Sequence, residues 1–527
     1  MTRFIEAGDV ARLIPNGATL YCTGMGLAGF AEEVAKAVSE AFQSTGHPRD
    51  LTLYHATGVG NGRDRGVHHF AHEGLLKRIV GGHFGVGGPS LMKLIMENRL
   101  EAYNMPQGAL CRLPREIAGR RPGFITRVGL GTFVDPRIEG GKVNAAAVED
   151  LVEVMHLDGE EWLYFRAPKV DVALIRGSVA DENGNITMER EGVLLESLSV
   201  AQAARACGGI VIAQVEHVVK AGSLHPRAVT VPGIVVDYVV KARPENHLQT
   251  MSTYYNPAYS GDIKVVRGSL ASMPLDPRKI IARRAAMELT PGAVVNLGIG
   301  MPEGVAAVAA EEHIDHLMSL TLETGPIGGV PAGGFDFGHA SNADAVIEQA
   351  AQFDFYDGGG IDVAFLGLAQ TDGNGNVNVS KFSGRPVGCG GFINITQNAK
   401  KVVFCGTFTA GDSDLGIEDG KLAIRSDGTG CKFMEEVEQI TFSGDYARRI
   451  GQTVLYVTER AVFRLGDAGV ELIEIAPGVD LERDILAHMR FKPLIRDLTL
   501  MDVEIFRPEW QRLGALLGQR PAGREAR

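Results

Sequence analysis

Asp171-Val-Ala-Leu-Ile-Arg-Gly-Ser-Val-Ala-Asp-Glu-Asn-Gly-Asn185 aligns without gaps with Asp362-Val-Ala-Phe-Leu-Gly-Leu-Ala-Gln-Thr-Asp-Gly-Asn-Gly-Asn376. Seven of these fifteen positions are identical, three at the start and four at the end. Each copy opens as a short apolar run, the pattern of a buried strand, and closes on Asn-Gly, which favours positive φ in a tight turn. A repeat of this kind predicts two related domains in one chain.

Two further pairs support the repeat. Asn16-Gly-Ala-Thr-Leu-Tyr-Cys-Thr-Gly-Met-Gly26 matches Pro291-Gly-Ala-Val-Val-Asn-Leu-Gly-Ile-Gly300, and a helical pattern follows each. Gly209-Ile-Val-Ile-Ala213 matches Lys401-Val-Val-Phe-Cys405, each after a helix end. Short apolar strands alternating with helices imply an α/β fold with a mainly parallel sheet, flanked by helices, in each domain. The first two markers lie 154 residues apart in the first half (17 to 171) and 70 in the second (292 to 362), so the first half carries an insertion over about 84–163. The expected domains are 1–265 and 275–517, with a frayed tail at 518–527.

Composition narrows the function only by exclusion. The formal net charge is −12 with no basic block, which argues against a nucleic-acid partner. The basic residues in Arg112–Arg127 are dispersed among apolar ones and read as a solvated face. The six Cys include no CxxC, so zinc, redox and secreted disulfide frameworks are poorly supported. No apolar run approaches the ~20 residues that span a bilayer. The start of the chain lacks the apolar stretch of a signal peptide. The expected compartment is the cytoplasm, with no membrane partner.

Several segments invite chemistry and most fit it poorly. Gly24-Met-Gly-Leu-Ala-Gly29 has the GxGxxG form, but no acidic residue closes a second strand where dinucleotide binding requires one. The equivalent Gly298-Ile-Gly300 is followed by Pro302. Both are better explained as glycines that let backbone approach a ligand at a strand-to-helix turn. His68, His69 and His72 lack the convergent carboxylates of a zinc site. Asp372-Gly-Asn-Gly-Asn376 lacks the closing Glu of a calcium loop and reads as a turn.

Leu317-Met-Ser-Leu-Thr-Leu-Glu-Thr-Gly-Pro-Ile-Gly-Gly-Val-Pro331 is different. A strand-like run delivers Glu323 to a Gly/Pro-rich loop, and sites in open parallel sheets lie beyond strand carboxyl ends. A carboxylate can act as a covalent nucleophile. It then needs hydrogen-bond donors for the oxyanion. Gln107, in Met105-Pro-Gln-Gly108, and the backbone of Gly388-Cys-Gly-Gly391 are candidate donors.

Tyr103-Asn-Met-Pro-Gln-Gly108, Gly129-Leu-Gly-Thr-Phe-Val-Asp-Pro136, Thr321-Leu-Glu-Thr-Gly325, Asp354-Phe-Tyr-Asp-Gly-Gly-Gly360, Gly388-Cys-Gly-Gly-Phe-Ile-Asn394 and Val403-Phe-Cys-Gly-Thr-Phe-Thr-Ala-Gly411 occur in this order. Together they resemble the family I coenzyme A transferases, acetate and propionate CoA-transferases in particular, over Arg12 to about Asp502. The resemblance implies fused α- and β-subunit domains and exchange of CoA between short carboxylic acids. Glu323 maps onto the nucleophile, at a site shared between the two domains. The comparable first-half segment Leu51–Gly58 carries Thr57 and offers no second nucleophile. Gln107 and the Gly388–Gly391 backbone map onto the oxyanion donors, with Gly390 preferred. Gly24, Gly26, Asn296, Gly298, Gly300, Gly325, Gly388 and Gly391 are the candidate contacts for substrate and CoA. No metal or resident cofactor is implied, since CoA is a substrate held covalently on Glu323 during turnover. Acyl-CoA and short-chain carboxylates are the implied partners, and a homo-oligomer the implied assembly. One departure is Asp412, where many relatives carry Gly. A thioesterase on the same scaffold, or a non-catalytic acyl-CoA or sugar-phosphate binding protein, are the alternatives.

Overall fold

A computed structural model describes residues 2–266 and 272–518. The expected frayed tail lies, from residue 519 on, outside the described residues. The chain packs as two compact units. One comprises Met1–Val265, Leu322–Asp354 and Gly384–Asn394, and the other Val266–Thr321, Phe355–Ser383 and Ile395–Arg527.

In the first unit eight strands run in the order Arg3–Phe4, Tyr238–Lys241, Ile210–Val219, Val172–Asp181, Thr19–Cys22, Leu51–Gly58, Leu76–His83, Glu101–Asn104. Every neighbouring pair on this path is parallel. Val172–Asp181 is buried along its whole length, as expected of a central parallel strand with both faces covered. The helix Glu32–Thr45 buries Val34, Ala35 and Val38 against this sheet's core. The segment expected as an insertion supplies the last strand, Glu101–Asn104, and the helix Gln107–Ala118. It also begins a separate antiparallel sheet of Gly123–Thr126, Glu160–Arg166 and Val152–Leu157.

The second unit repeats the plan. Met318–Thr321, Ala293–Leu297, Val363–Gly367, Lys401–Cys405 and Thr453–Val457 are neighbours in that order, all parallel. Ala461–Gly466 and Gly469–Ile475 then continue the sheet as antiparallel strands, and Leu494–Leu500 closes it parallel to the last of these. Helices Pro277–Ala286 and Glu303–Glu311 bury Ile280, Ile281, Val305 and Val308 in its core.

The identical residues of the repeat make identical bonds. Asp171 Oδ2 accepts the Thr19 N–H at 3.0 Å, and Asp362 Oδ2 accepts the Val294 N–H at 2.9 Å, so each Asp locks its strand to a neighbour. Asp181 accepts the N–H groups of Asn183 and Asn185 at 3.0 and 2.9 Å, and Asp372 those of Asn374 and Asn376 at 3.0 and 3.1 Å. The Asp372 loop is thus an Asx turn whose carboxylate is spent on the backbone of Asn374 and Asn376 and on the Asn376 side chain.

One surface feature differs from expectation. Arg112 is 5% exposed, stacks on Phe124 at 4.5 Å and pairs with Asp354, while Arg115 pairs with Glu348 and Asp354. This part of the basic stretch therefore packs against acidic partners instead of facing solvent. His69 pairs with Glu32 at 2.8 Å and His72 with Ser39 at 2.8 Å, fixing a loop to the helix Glu32–Thr45. Among the described residues no cluster could hold a metal ion, and no helix is long and apolar enough to cross a membrane.

Candidate active site

Glu323 lies two residues past the strand Met318–Thr321, in a turn whose backbone is closely tied. The Leu322 N–H donates to Pro326 O at 3.0 Å, and the Gly325 N–H donates to Leu322 O at 3.1 Å. The Ile347 N–H donates to Gly325 O at 3.1 Å, and Thr324 Oγ1 donates to Gly338 O at 2.5 Å. Gly325 has φ +122°, and a Cβ there would stand 2.0 Å from Ile347 O, so only glycine fits. Its place in the motif is explained by this close approach of backbone to backbone.

The Glu323 side chain is half-buried. Burial pushes its carboxyl above the ordinary value, with a backbone N–H pulling the other way. A carboxylate that has lost part of its water and is fixed to a rigid turn is a stronger and better aimed nucleophile than a solvated one.

Gln107 is the first residue of the helix Gln107–Ala118 and is 2% exposed. Its backbone N–H donates to Gly390 O at 3.0 Å. Its Nε2 is buried and has no hydrogen-bonding partner among the described residues. A buried amide donor without a partner is costly unless a ligand accepts from it, and an oxyanion is such an acceptor.

The Gly384–Asn394 segment is sewn to the strand ends beside Gln107. Phe84 donates its N–H to Val387 O at 2.7 Å. Asn104 donates to Gly81 O and Gly82 O at 2.8 and 2.6 Å and accepts the Cys389 N–H at 2.9 Å. Gly108 donates its N–H to Asn394 Oδ1 at 3.0 Å, and a Cβ on Gly108 would fall 2.4 Å from Asn394 Nδ2. Asn104 and Asn394 sit inside motifs already singled out, yet residue type alone does not disclose that they join the loop to the sheet.

One expectation needs correction here. The Gly390 N–H, the preferred oxyanion donor, donates to Gly82 O at 2.7 Å and is therefore engaged. With Cys389 also committed, the loop's remaining N–H groups are those of Gly388 and Gly391, and Gly388 and Gly390 hold φ +99° and +52°.

The other candidate contacts are placed as follows. Gly24 faces Phe30 and Val59, and a Cβ on Gly26 would meet Met251 at 2.6 Å, so these two glycines accommodate the protein's own side chains. Gly298 packs against Leu366, whereas a Cβ on Gly300 would meet nothing within 4 Å. Asn296 is 1% exposed and donates to Thr321 O at 3.1 Å, bracing the strand that leads to Glu323. Asp412 is exposed.

Glu323, Gln107 and the Gly388–Gly391 loop come from both sequence halves but fold into the same compact unit. The sequence had assigned them to a site shared by two linear domains.

The coenzyme A transferase family model matches residues 5–242. A caffeate CoA-transferase of Acetobacterium woodii is 48% identical over 526 residues, covering 98% of this chain and 100% of its own. The chain belongs to the coenzyme A transferase family. The acetate CoA-transferase YdiF of Escherichia coli K12 is 44% identical over 505 residues, 95% of this chain and 94% of its own. The crystal structure of the acyl-CoA transferase YdiF apoenzyme from Escherichia coli O157:H7 superposes with a TM-score of 0.91 at 41% identity, covering 99% of this chain and 98% of that one. A thioester complex of YdiF with CoA superposes with a TM-score of 0.90 over the same shares. This coenzyme A transferase therefore has the fused architecture that the repeat predicted.

Proposed function

We propose that the chain exchanges CoA between carboxylic acids by ping-pong chemistry, with Glu323 as the covalent nucleophile. The Glu323 carboxylate attacks the acyl-CoA carbonyl, forming an acyl-glutamyl anhydride and releasing CoA thiolate. The thiolate attacks the glutamyl carbonyl, forming a glutamyl-CoA thioester and releasing the first acid. A second carboxylate attacks that thioester, and the displaced thiolate then attacks the new acyl carbonyl, which frees Glu323 and releases the product acyl-CoA. The activated bond survives every step, so the chemistry requires neither a nucleotide nor a metal.

Gln107 carries the reading: its buried Nε2 has no partner among the described residues and lies in the same compact unit as the desolvated Glu323. The amide donates to the oxyanion of each tetrahedral intermediate, together with the Gly388 or Gly391 N–H. The thioester complex of YdiF with CoA supports covalent chemistry on this fold.

Acetate and propionate are the proposed acids, acting with acyl-CoA in the cytoplasm on a homo-oligomeric enzyme. A second class, aromatic acids such as caffeate, is favoured by the relative that is 48% identical over its full length. Initial rates with propionyl-CoA as donor to acetate and caffeate, and with acetyl-CoA as donor to propionate, test both classes. Parallel double-reciprocal lines, with turnover dependent on the added acid, are expected. Acceptor-independent release of CoA would instead make the protein a thioesterase. Glu323→Gln should abolish exchange, and an active Glu323→Gln enzyme would overturn the mechanism.

A further inference from the structure

Behind the Glu323 turn lies a set of buried polar groups that the proposed chemistry does not use. Glu196 is 1% exposed, and Gln349 and Gln352 are each 0% exposed. Both carboxyl oxygens of Glu196, and both the Oε1 and Nε2 of each Gln, are buried with no hydrogen-bonding partner among the described residues. Gln349 and Gln352 are one turn apart on the helix Gln349–Asp357 and so share a face. Glu196 directly precedes the helix Ser197–Ala206, where its carbonyl accepts the Val200 N–H at 3.0 Å.

Backbone bonds connect this set to the nucleophile. The Gln349 N–H donates to Leu195 O at 3.2 Å, and two residues earlier the Ile347 N–H donates to Gly325 O at 3.1 Å. The path from Glu196 to Glu323 thus runs through two hydrogen bonds and three short stretches of chain.

Six buried polar atoms in one region are rarely left unsatisfied, and internal water is the usual partner, each molecule taking about three hydrogen bonds. Water also suits the donors and acceptors present, because each carboxamide offers both and an un-ionised carboxyl offers both. The facing charged and titratable groups leave Glu196 without a cation. Glu348 is a charge that acts on it, Tyr21 and Cys22 feel its field from the strand Thr19–Cys22, and Cys111, Arg112 and Arg115 come from the helix Gln107–Ala118. Arg112 is committed to Asp354, and Arg115 to Glu348 and Asp354. Burial first, then Glu348, push the Glu196 carboxyl up to about 8, against the pull of its own backbone N–H.

We propose that Glu196, Gln349 and Gln352 enclose buried water behind the catalytic turn, and that Glu196, un-ionised within that network, is a positioning residue for Glu323. The proposal rests on Glu323 being the nucleophile. Ionisation of Glu196 places an uncompensated charge in the interior, which disturbs the Leu195–Gln349 and Ile347–Gly325 links and with them the aim of Glu323.

Glu196→Gln tests this, since the amide keeps donors and acceptors but cannot ionise. The infrared difference spectrum of wild type minus Glu196→Gln should show the carbonyl band of a protonated carboxylic acid at neutral pH, lost on titration with a midpoint near 8. Wild-type kcat should fall with the same midpoint, by about tenfold per pH unit above it, while the kcat of Glu196→Gln does not fall over that range. Absence of the band, or the same alkaline fall in Glu196→Gln, overturns the proposal. Mass analysis of the CoA adduct on Glu323 separates the two levels. An adduct with an unchanged alkaline limb in Glu196→Gln removes only the role of Glu196, whereas no adduct in active wild type removes both.

Discussion

As the proposed nucleophile, Glu323 must be ionised to attack, and burial raises its carboxyl above the ordinary glutamate value of 4.5. The acid limb of kcat/KM should accordingly lie above that value, with activity lost as pH falls through it. A limb at or below the ordinary glutamate value would mean that the nucleophile is fully solvated in the free enzyme. Gln107→Leu keeps the volume of the side chain and removes its donor. It should lower kcat by roughly 10²–10³, the loss typical of one oxyanion donor, with little change in Tm. Glu196 works in the opposite sense. Its folded value of about 8 exceeds its unfolded one, so its contribution to stability is full below about 4.5 and is lost as pH rises through about 8. Thermal melts of wild type and Glu196→Gln should therefore diverge over that window, wild type losing Tm relative to the variant as pH rises. Parallel melts from pH 5 to 9 would contradict an un-ionised Glu196.

At the scale of elements, the sites depend on backbone approaches that side chains would block. Gly325→Ala places a Cβ 2.0 Å from Ile347 O in a conformation that disfavours L-residues. It should cost at least ~10-fold in kcat by displacing Glu323, since small misplacements at a reacting centre are expensive. An active Gly325→Ala enzyme would show that the turn tolerates rearrangement. The strands of the repeat were legible because Asp171 and Asp362 recur with the apolar runs they anchor, and the Asn-Gly turns recur with them. Glu323 was legible as a carboxylate delivered by a strand to a glycine-rich loop. The direction of the Gly390 N–H was not, because it is set by Gly82, far away in sequence. Glu196 left no local signal either: in Val193-Leu-Leu-Glu-Ser197 it reads as an acid at a helix start, which usually faces water.

At the scale of the whole molecule, linear domains and compact units part company. The first unit needs Leu322–Asp354 and Gly384–Asn394 in addition to Met1–Val265. A fragment ending at residue 265 should thus be unstable alone, lacking the segments that cover Gln107 and Glu196. Coexpression with the remainder of the chain, from residue 266, should restore both solubility and exchange activity. A stable, cooperatively melting 1–265 fragment would contradict this dependence. The repeat was readable from sequence because equivalent strands keep equivalent neighbours. The assignment of Leu322–Asp354 and Gly384–Asn394 to the first unit was not, because it depends on packing between segments far apart in sequence.

The nucleophilic role of Glu323 is tested most directly by intact mass and peptide mapping after mixing the protein with acyl-CoA in the absence of acceptor acid. The chain should gain the mass of covalently attached CoA on the peptide containing Glu323, lose it on addition of acetate, and gain none in Glu323→Gln. An enzyme shown to be active that carries no such adduct, or carries it on another residue, would contradict the mechanism.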